Sequence, residues 1–281
     1  MSEVNAAQIS YWNEVAGPKW VRIGDEMDAR FVRITEALMA QASPQPGARV
    51  LDIGAGTGAT AWPLARAVGA GGMVTGIDIS APMLGVARAR GAGHPNVSFL
   101  EADAQIHDFG AQRFDLLCSR FGVMFFGDPV AAFANLRRAM APAGRLCFAC
   151  WAPLAANPHW AIPFEIVVAA LGPPAPRHPH APGPMAFSDP DYVTGILQAA
   201  GFTHIAVTPT NIPIIGRSVA EEARIAGVLG PSGALLDEKQ ADADMRAAMQ
   251  TQFATALSAF AQADGSVASP ACVHIVTARP Q

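Results

Sequence analysis

The segment LDIGAGTG, residues 51–58, constrains the fold of this chain more than any other feature. It overlaps the apolar run ARVLDIG (48–54), which has the composition of a strand buried on both faces. Gly54, Gly56 and Gly58 allow a sharp turn after this strand and a close approach of the backbone to a ligand. The segment therefore predicts an α/β sheet with a ligand site at the carboxyl end of its first strand.

Further strand-like segments alternate with helix-like segments along the chain. They are MVTGIDI (73–79), NVSFLEAD (96–103), RFDLLCS (113–119), RLCFACW (145–151), FTHIAVTP (202–209) and ACVHIVTARP (271–280). A repeated strand–helix alternation favours parallel pairing with helices on both faces. We predict a doubly wound, Rossmann-like, mostly parallel seven-stranded sheet with an antiparallel last strand and helical lid insertions.

Helix boundaries follow from capping residues. Ser80 is expected to cap the helix after the second strand, and Asp128 the helix that begins at Pro129. Pro63 falls inside the helix after the glycine loop, where it is tolerated if Thr60 is the cap and Pro63 lies in the first turn.

Two interruptions divide the predicted core. Residues 152–187 are rich in proline and poor in strand signals, and 211–270 contain a helix-like stretch at 216–263. We predict a helical cap at 1–45, a core formed by 46–151, 188–210 and 271–281, and substrate-lid insertions at 152–187 and 211–270.

Composition excludes several classes of protein. Hydrophobic residues make up 51% of the chain and the net charge is −4, with Lys19 and Lys239 as the two lysines. The arginines are scattered, so we expect no nucleic-acid partner. No apolar run approaches the roughly 20 residues of a membrane helix, and the start MSEVNAAQIS is polar, so we expect a cytoplasmic protein without membrane contact. The four cysteines, including the Cys147–Cys150 C-x-x-C, are expected to be core residues.

The glycine loop alone is also compatible with a nicotinamide dinucleotide. Asp52, two residues before Gly54, would repel a diphosphate but tolerate a cationic ligand. Asp78 ends the second strand, where a carboxylate can accept hydrogen bonds from a ribose. Asp103 and Ala104 end the third strand, where a carboxylate and a backbone N–H can bind an adenine edge. Together these residues favour a cationic adenosine cofactor.

This order of motifs, from about residue 11 to residue 209, resembles the class I S-adenosylmethionine-dependent methyltransferases, particularly the small-molecule branch similar to ubiquinone and menaquinone methyltransferases. The resemblance implies that S-adenosyl-L-methionine is the cofactor and S-adenosyl-L-homocysteine the product. It implies that the cofactor is bound by Asp52, Gly54, Ala55, Gly56, Gly58, Asp78, Ile79, Met83, Asp103, Ala104, Ser119 and Trp20.

Candidate substrate residues lie at the N-terminus and after strands four and five. They are Tyr11, Phe121, Met124, Phe125, Trp151, Asn157 and Trp160. Core packing is an equal alternative for Phe121, Met124 and Phe125, and at least an equal one for Tyr11. His159 is the candidate catalytic base or orienting donor. We expect no metal, because His178 and His180 lie in a proline-rich loop without nearby carboxylates.

These features predict methyl transfer, by in-line displacement, to oxygen or carbon of a small, fairly apolar metabolite. Two alternatives stay open from the sequence. One is a nicotinamide-dependent oxidoreductase, and the other is a non-methylating protein that uses the same cofactor structurally. The sequence specifies neither the acceptor, nor the atom methylated, nor the oligomeric state.

Overall fold

A computed structural model describes residues 5–281 and contains a seven-stranded sheet with the strand order β3-β2-β1-β4-β5-β9-β6. A second, two-stranded sheet pairs β7 with β8. The strands are β1 Arg49–Ile53, β2 Met73–Asp78, β3 Val97–Glu101, β4 Phe114–Arg120, β5 Met140–Trp151, β6 Phe202–Asn211, β7 Ile214–Gly216, β8 Val267–Ser269 and β9 Cys272–Pro280.

Helices cover both faces of the large sheet and its carboxyl edge. They are α1 Ala6–Ser10, α2 Ala16–Arg22, α3 Gly24–Arg30, α4 Val32–Ala42, α5 Ala61–Val68, α6 Ala81–Arg90, α7 Pro129–Arg138, α8 Pro158–Leu171, α9 Pro190–Ala199, α10 Val219–Ala226, α11 Gly230–Glu238 and α12 Ala243–Leu257. A π-helical turn, Tyr11–Val15, joins α1 to α2. Among residues 5–281, no helix combines the length and the hydropathy that crossing a membrane requires.

Strand pairing confirms the predicted fold class. Strands β1 to β5 are parallel, and β9 runs antiparallel between β5 and β6. The chain moves outward from β1 to β3 in one direction and from β4 onward in the other. The carboxyl ends of β1 and β4 therefore border the crevice in which open α/β sheets bind ligands.

The two predicted interruptions contain more regular structure than their composition suggested. Residues 152–187 include α8, with Pro163 inside it. Residues 211–270 contain β7 and β8 besides three helices. The sequence did not predict α8, because proline is unfavourable in the interior of an isolated helix. Burial compensates, since Val167 packs in a hydrophobic cluster with Leu236 and Phe253.

Capping follows the prediction at Asp128 and departs from it at Ser80. The Asp128 side chain accepts a hydrogen bond from Ala131 N. Ser80 precedes α6, but its hydroxyl donates to Trp12 O instead, and the Asn13 side chain accepts from Ala81 N. The prediction was wrong because it considered only local partners, whereas the N-terminal helices pack against α6. Pro63 lies in the first turn of α5 after Thr60, as expected, although the Thr60 side chain makes no capping bond.

All four cysteines are buried and free. Cys147 and Cys150 both lie within β5, where desolvation raises the pKa of the Cys147 thiol to about 12. Their environment agrees with the prediction that they are core residues.

Candidate active site

A cavity of about 1010 Å³ lies at the carboxyl ends of the central strands. One side, which we call the sheet wall, is formed by the turns after β1 to β4 and includes Gly54, Gly56, Asp78, Asp103 and Phe121. The opposite side, the helical wall, is formed by residues of α2, α3, α8 and α11 and of the loop 172–186. This volume is at the upper end of the roughly 300–1,000 Å³ typical of small-molecule sites, which allows a cofactor and a second ligand together.

The glycine loop of the sheet wall depends on left-handed backbone. Gly54 has φ 67°, and a Cβ there would lie 2.5 Å from Gly122 Cα. The turn after β1 and the turn after β4 therefore touch through two glycines. Gly54 N and Ala55 N both donate to Ile77 O, at 2.8 and 3.1 Å, which fixes the loop to β2.

Asp78 connects this loop to the helix that follows β2. Its Oδ2 accepts from Gly56 N and its Oδ1 from Ser80 N, both at 2.8 Å. Desolvation raises the pKa of Asp78, and these backbone hydrogen bonds oppose the shift. Each carboxylate oxygen has a further lone pair, so Asp78 can still accept from a diol in the cavity, which it lines.

Asp103 lies at the far end of the same wall. Its Oδ1 accepts from Gln105 N at 2.9 Å, and its Oδ2 accepts from Asn5 Nδ2 at 3.0 Å. The Asn5 side chain also accepts from Gly127 N at 3.2 Å. Asp103 and the neighbouring Ala104 both line the cavity, with Ile79 and Met83 nearby in the lining.

Asp52 is fully buried beside the glycine loop. Among the described residues, neither carboxylate oxygen has a hydrogen-bond partner. Desolvation raises its pKa to about 7, the charge of Arg120 opposes that rise, and the charge of Asp78 adds to it. A buried carboxylate without a partner is costly. A cationic ligand beside the glycine loop would offset this cost through the charge of Asp52, which is not itself part of the cavity lining.

Three of the predicted cofactor residues, Asp52, Gly58 and Ser119, do not line the cavity. Ser119 instead braces the two turns, because its hydroxyl donates to Ile53 O at 2.7 Å and accepts from Gly122 N at 3.1 Å. Gly58 has φ 87° and packs against Trp62. The other predicted cofactor residues, including Trp20, line the cavity.

Aromatic rings line the cavity between the sheet wall and the helical wall. Phe121 stacks on Trp151 with ring centroids 4.4 Å apart and planes 5° apart, and Phe31 contacts both rings edge-on. Phe121 has φ 68°, a strained conformation for a non-glycine residue. Of the other predicted substrate-pocket residues, Tyr11, Met124, Phe125, Trp151 and Trp160 line the cavity, and their role in substrate binding stays a prediction.

Asn157 and His159 lie behind this aromatic surface. The Asn157 side chain donates to Ala152 O at 3.1 Å and accepts from Cys272 N at 3.0 Å, so it fixes the start of α8 to β9. His159 is 2% exposed, does not line the cavity, and packs against Trp151 and Trp160. Desolvation and the charge of Arg30 hold its pKa well below the usual range. His159 is therefore neutral, and its catalytic role stays a prediction that this placement disfavours.

Sequence reasoning missed two arginines of the cavity, although it predicted the carboxylates Asp78 and Asp103. Arg30 and Arg120 both line the cavity, with Cζ 5.9 and 5.5 Å from the centroid of the Phe31 ring. Arg30 pairs with Glu222 of α10 at 2.6 Å, a contact across 192 residues that no local pattern indicates. Arg120 had a local signal, because an arginine at the carboxyl end of a buried strand is unusual.

His178 lines the cavity, and His180 stacks on Tyr192. Among residues 5–281, no group of three or more His, Cys, Asp or Glu side chains is arranged as a metal site.

Comparison with known proteins agrees with this geometry. A family model described as a methyltransferase domain matches residues 50–144. The chain is 31% identical over 268 residues to a nocamycin O-methyltransferase of Saccharothrix syringae, a match that covers 92% of this chain and 94% of the relative. It is 35% identical over 132 residues to a ubiquinone/menaquinone biosynthesis C-methyltransferase of Cellvibrio japonicus, covering 46% of this chain and 53% of that protein.

The fold also matches a solved structure of phosphoethanolamine N-methyltransferase 2 from Haemonchus contortus, in complex with phosphomonomethylethanolamine and S-adenosylhomocysteine. The TM-score is 0.54 at 21% identity, covering 89% of this chain and 53% of that one. At this identity the likeness supports the fold.

The chain belongs to the class I S-adenosylmethionine-dependent methyltransferases. Within that class it is a methyltransferase of the small-molecule type, with S-adenosyl-L-methionine as cofactor. This membership decides against the nicotinamide alternative, in agreement with the buried Asp52.

Proposed function

We propose that this enzyme methylates oxygen or carbon of a small, fairly apolar and flat acceptor. The observation that carries the proposal is an aromatic cluster in which Phe121 and Trp160 are partly exposed to the cavity and the buried rings of Phe31 and Trp151 support them. This cluster adjoins the predicted cofactor residues in one cavity. Aromatic rings favour offset stacking with flat π-systems. The strained backbone of Phe121 holds one of these rings at the junction of the two walls.

The residues of the chain serve mainly to position the acceptor and to exclude water. The bound cofactor supplies an already activated methyl group, so alignment accounts for much of the expected acceleration. The sheet wall orients the cofactor, and the aromatic cluster orients the acceptor. We propose that residues 152–187 and 211–270 act as lids, since α8, α11 and the loop 172–186 complete the cavity lining.

Transfer of a labelled methyl group to a panel of flat acceptors tests this proposal. The panel pairs each hydroxynaphthoquinone or phenol with a saturated analogue of similar volume. We expect transfer to the flat members only, and Trp160→Leu to raise KM while the affinity for S-adenosylhomocysteine stays unchanged. Equal transfer to flat and saturated members would contradict the proposed acceptor class.

His159 is tested separately, because the same ring could act as a base or as packing for two tryptophans. If it packs, His159→Gln should shift the tryptophan fluorescence, while the pH profile of kcat keeps its shape. Loss of one limb of that profile would instead support the predicted role as a base.

A further inference from the structure

The amino-acid end of the cofactor is a zwitterion, and the negative charge of Asp52 compensates only its cation. An α-ammonium needs a negative partner, and an α-carboxylate two bonds away needs hydrogen-bond donors or a positive charge. A buried site that satisfied only one of the two groups would leave the other without compensation.

Arg120 lies where a partner for the carboxylate is needed. It ends β4, and Gly122, two residues later, touches Gly54 of the glycine loop. Asp52 is in register with Cys118 on the adjacent parallel strand. Because side chains two apart on a strand share a face, Arg120 lies on the same face of the sheet as Asp52. Its effect on the pKa of Asp52 agrees with this proximity.

The Arg120 guanidinium makes fewer hydrogen bonds than it has N–H donors. Nη1 donates to Thr35 Oγ1 at 2.8 Å, and Nη2 donates to Asp28 Oδ1 at a long 3.3 Å. A guanidinium carries five N–H donors in a planar fork that matches a carboxylate. Arg120 lines the cavity, and its side chain is 10% exposed, so water satisfies little of the remainder.

The charge of Arg120 is also only partly neutralised. Its partner Asp28 is shared, because the other oxygen of that carboxylate pairs with Arg90 at 3.1 Å. Arg90 is a suitable comparison residue: it contacts the same aspartate but does not line the cavity.

We propose that Arg120 binds the α-carboxylate of the cofactor, while the charge of Asp52, buried behind the glycine loop, stabilises the α-ammonium without touching it. We call this arrangement at the ends of β4 and β1 the zwitterion clamp. Thr35, Asp28 and the Phe31 ring position the guanidinium. Arg120 is a binding and positioning residue here, and the clamp is independent of which acceptor the enzyme uses.

Calorimetric titration with two ligands tests the clamp. The first is S-adenosylhomocysteine, and the second is its decarboxylated analogue, in which a hydrogen replaces the carboxylate and the amine is kept. We expect the wild-type protein to bind the first more tightly by about tenfold to a hundredfold, the range for a hydrogen bond to a charged group. Arg120→Gln should remove this difference by weakening only S-adenosylhomocysteine, and Arg90→Gln should preserve it.

Two results would overturn the clamp. One is equal binding of the two ligands by the wild-type protein, which requires no variant to fold. The other is that Arg120→Gln weakens both ligands by the same factor, which would indicate a purely structural role. Arg120→Lys, which keeps the charge without the fork, should give an intermediate preference. Failure of the wild-type protein to bind either ligand would contradict the cofactor assignment itself, whereas a missing acceptor would leave the clamp unaffected.

Discussion

The two walls of the cavity are built from different interactions. In the sheet wall, backbone groups predominate: Gly54 approaches Gly122, and Asp78 accepts from Gly56 N and Ser80 N. In the helical wall, side chains predominate, with the rings of Trp20 and Trp160 and the buried Arg30–Glu222 pair. These backbone partners in the sheet wall lie within short motifs or at the ends of adjacent strands, whereas Arg30 and Glu222 are 192 residues apart.

We propose that this difference separates cofactor binding, which depends on the backbone of the sheet wall, from acceptor binding, which depends on side chains. A backbone cradle depends on glycine and on strand ends, so few sequences can form it for one particular cofactor. A wall of side chains on helices can change its shape through single substitutions. The same fold can therefore keep its cofactor while its acceptor differs.

The largest expected effect concerns the buried ion pair of the helical wall. Arg30 and Glu222 are 3% and 2% exposed, so Arg30→Gln would leave an uncompensated carboxylate. We expect a loss of about 3–5 kcal/mol in the free energy of unfolding, measured in urea. The double variant Arg30→Gln/Glu222→Gln should recover part of this loss.

Arg224→Gln is the matched control, because Arg224 pairs with Glu26 between the same two helices but is 39% exposed. It should cost less than about 1 kcal/mol. If the two arginine variants lose equal stability, burial is not what distinguishes this pair.

The next effect concerns the glycine contact of the sheet wall. Gly54→Ala would place a methyl group 2.5 Å from Gly122 Cα at a φ of 67°. We expect the affinity for S-adenosylhomocysteine to fall about a hundredfold, since strain and displacement of the loop together cost roughly 3 kcal/mol. Gly110→Ala is the control, because Gly110 has φ 54° but open space around it. It should lower stability alone, and a comparable loss of affinity there would argue against a role for the contact.

The residues of the sheet wall could be predicted from the sequence better than those of the helical wall. The glycine loop, Asp78 and Asp103 were predictable because each follows a strand, and strand ends meet at one edge of a parallel sheet. Arg30 was not predictable, since its partner is fixed by how α3 packs on α10. Asn157 and His159 lie in a segment whose composition is typical of a ligand pocket, yet neither side chain lines the cavity. His159 packs instead behind the ring of Trp151. Which side of a helix faces a cavity depends on the orientation of the helix, which composition does not determine.

A smaller effect is the pH dependence of cofactor binding through Asp52. Its pKa is raised from 3.8 to about 7 in the folded protein, so near pH 6 the carboxyl is mostly protonated. An ammonium requires the ionised form, so the affinity for S-adenosylhomocysteine should rise about tenfold between pH 6 and pH 8. Stability should change in the opposite direction: the unfolded state ionises near pH 4 and the folded state near pH 7, so the contribution of Asp52 is lost as pH rises through that range.

Asp52→Asn isolates this effect from Asp78, whose pKa is also raised, and from Arg120, whose charge lowers the pKa of Asp52. The variant should bind more weakly at pH 8 and show a flat profile. A slope that survives the substitution would assign the titration to Asp78 or to the ligand amine.

The smallest expected effect lies at the rim, where the Lys19 ammonium pairs with Asp237 between α2 and α11. Both residues line the cavity, but Asp237 is 41% exposed and also pairs with Arg246 at 2.8 Å. Lys19→Gln should therefore change the free energy of unfolding, measured in urea, by less than about 1 kcal/mol. The control is Lys239→Gln, because Lys239 is the other lysine and does not line the cavity. Because the remaining charges at the rim are screened by salt, the difference between the two variants should vanish at high ionic strength. A loss above about 2 kcal/mol in the free energy of unfolding that persists at high salt would contradict this expectation. It would mean that the exposed Lys19–Asp237 pair stabilises the helical wall as strongly as the buried Arg30–Glu222 pair.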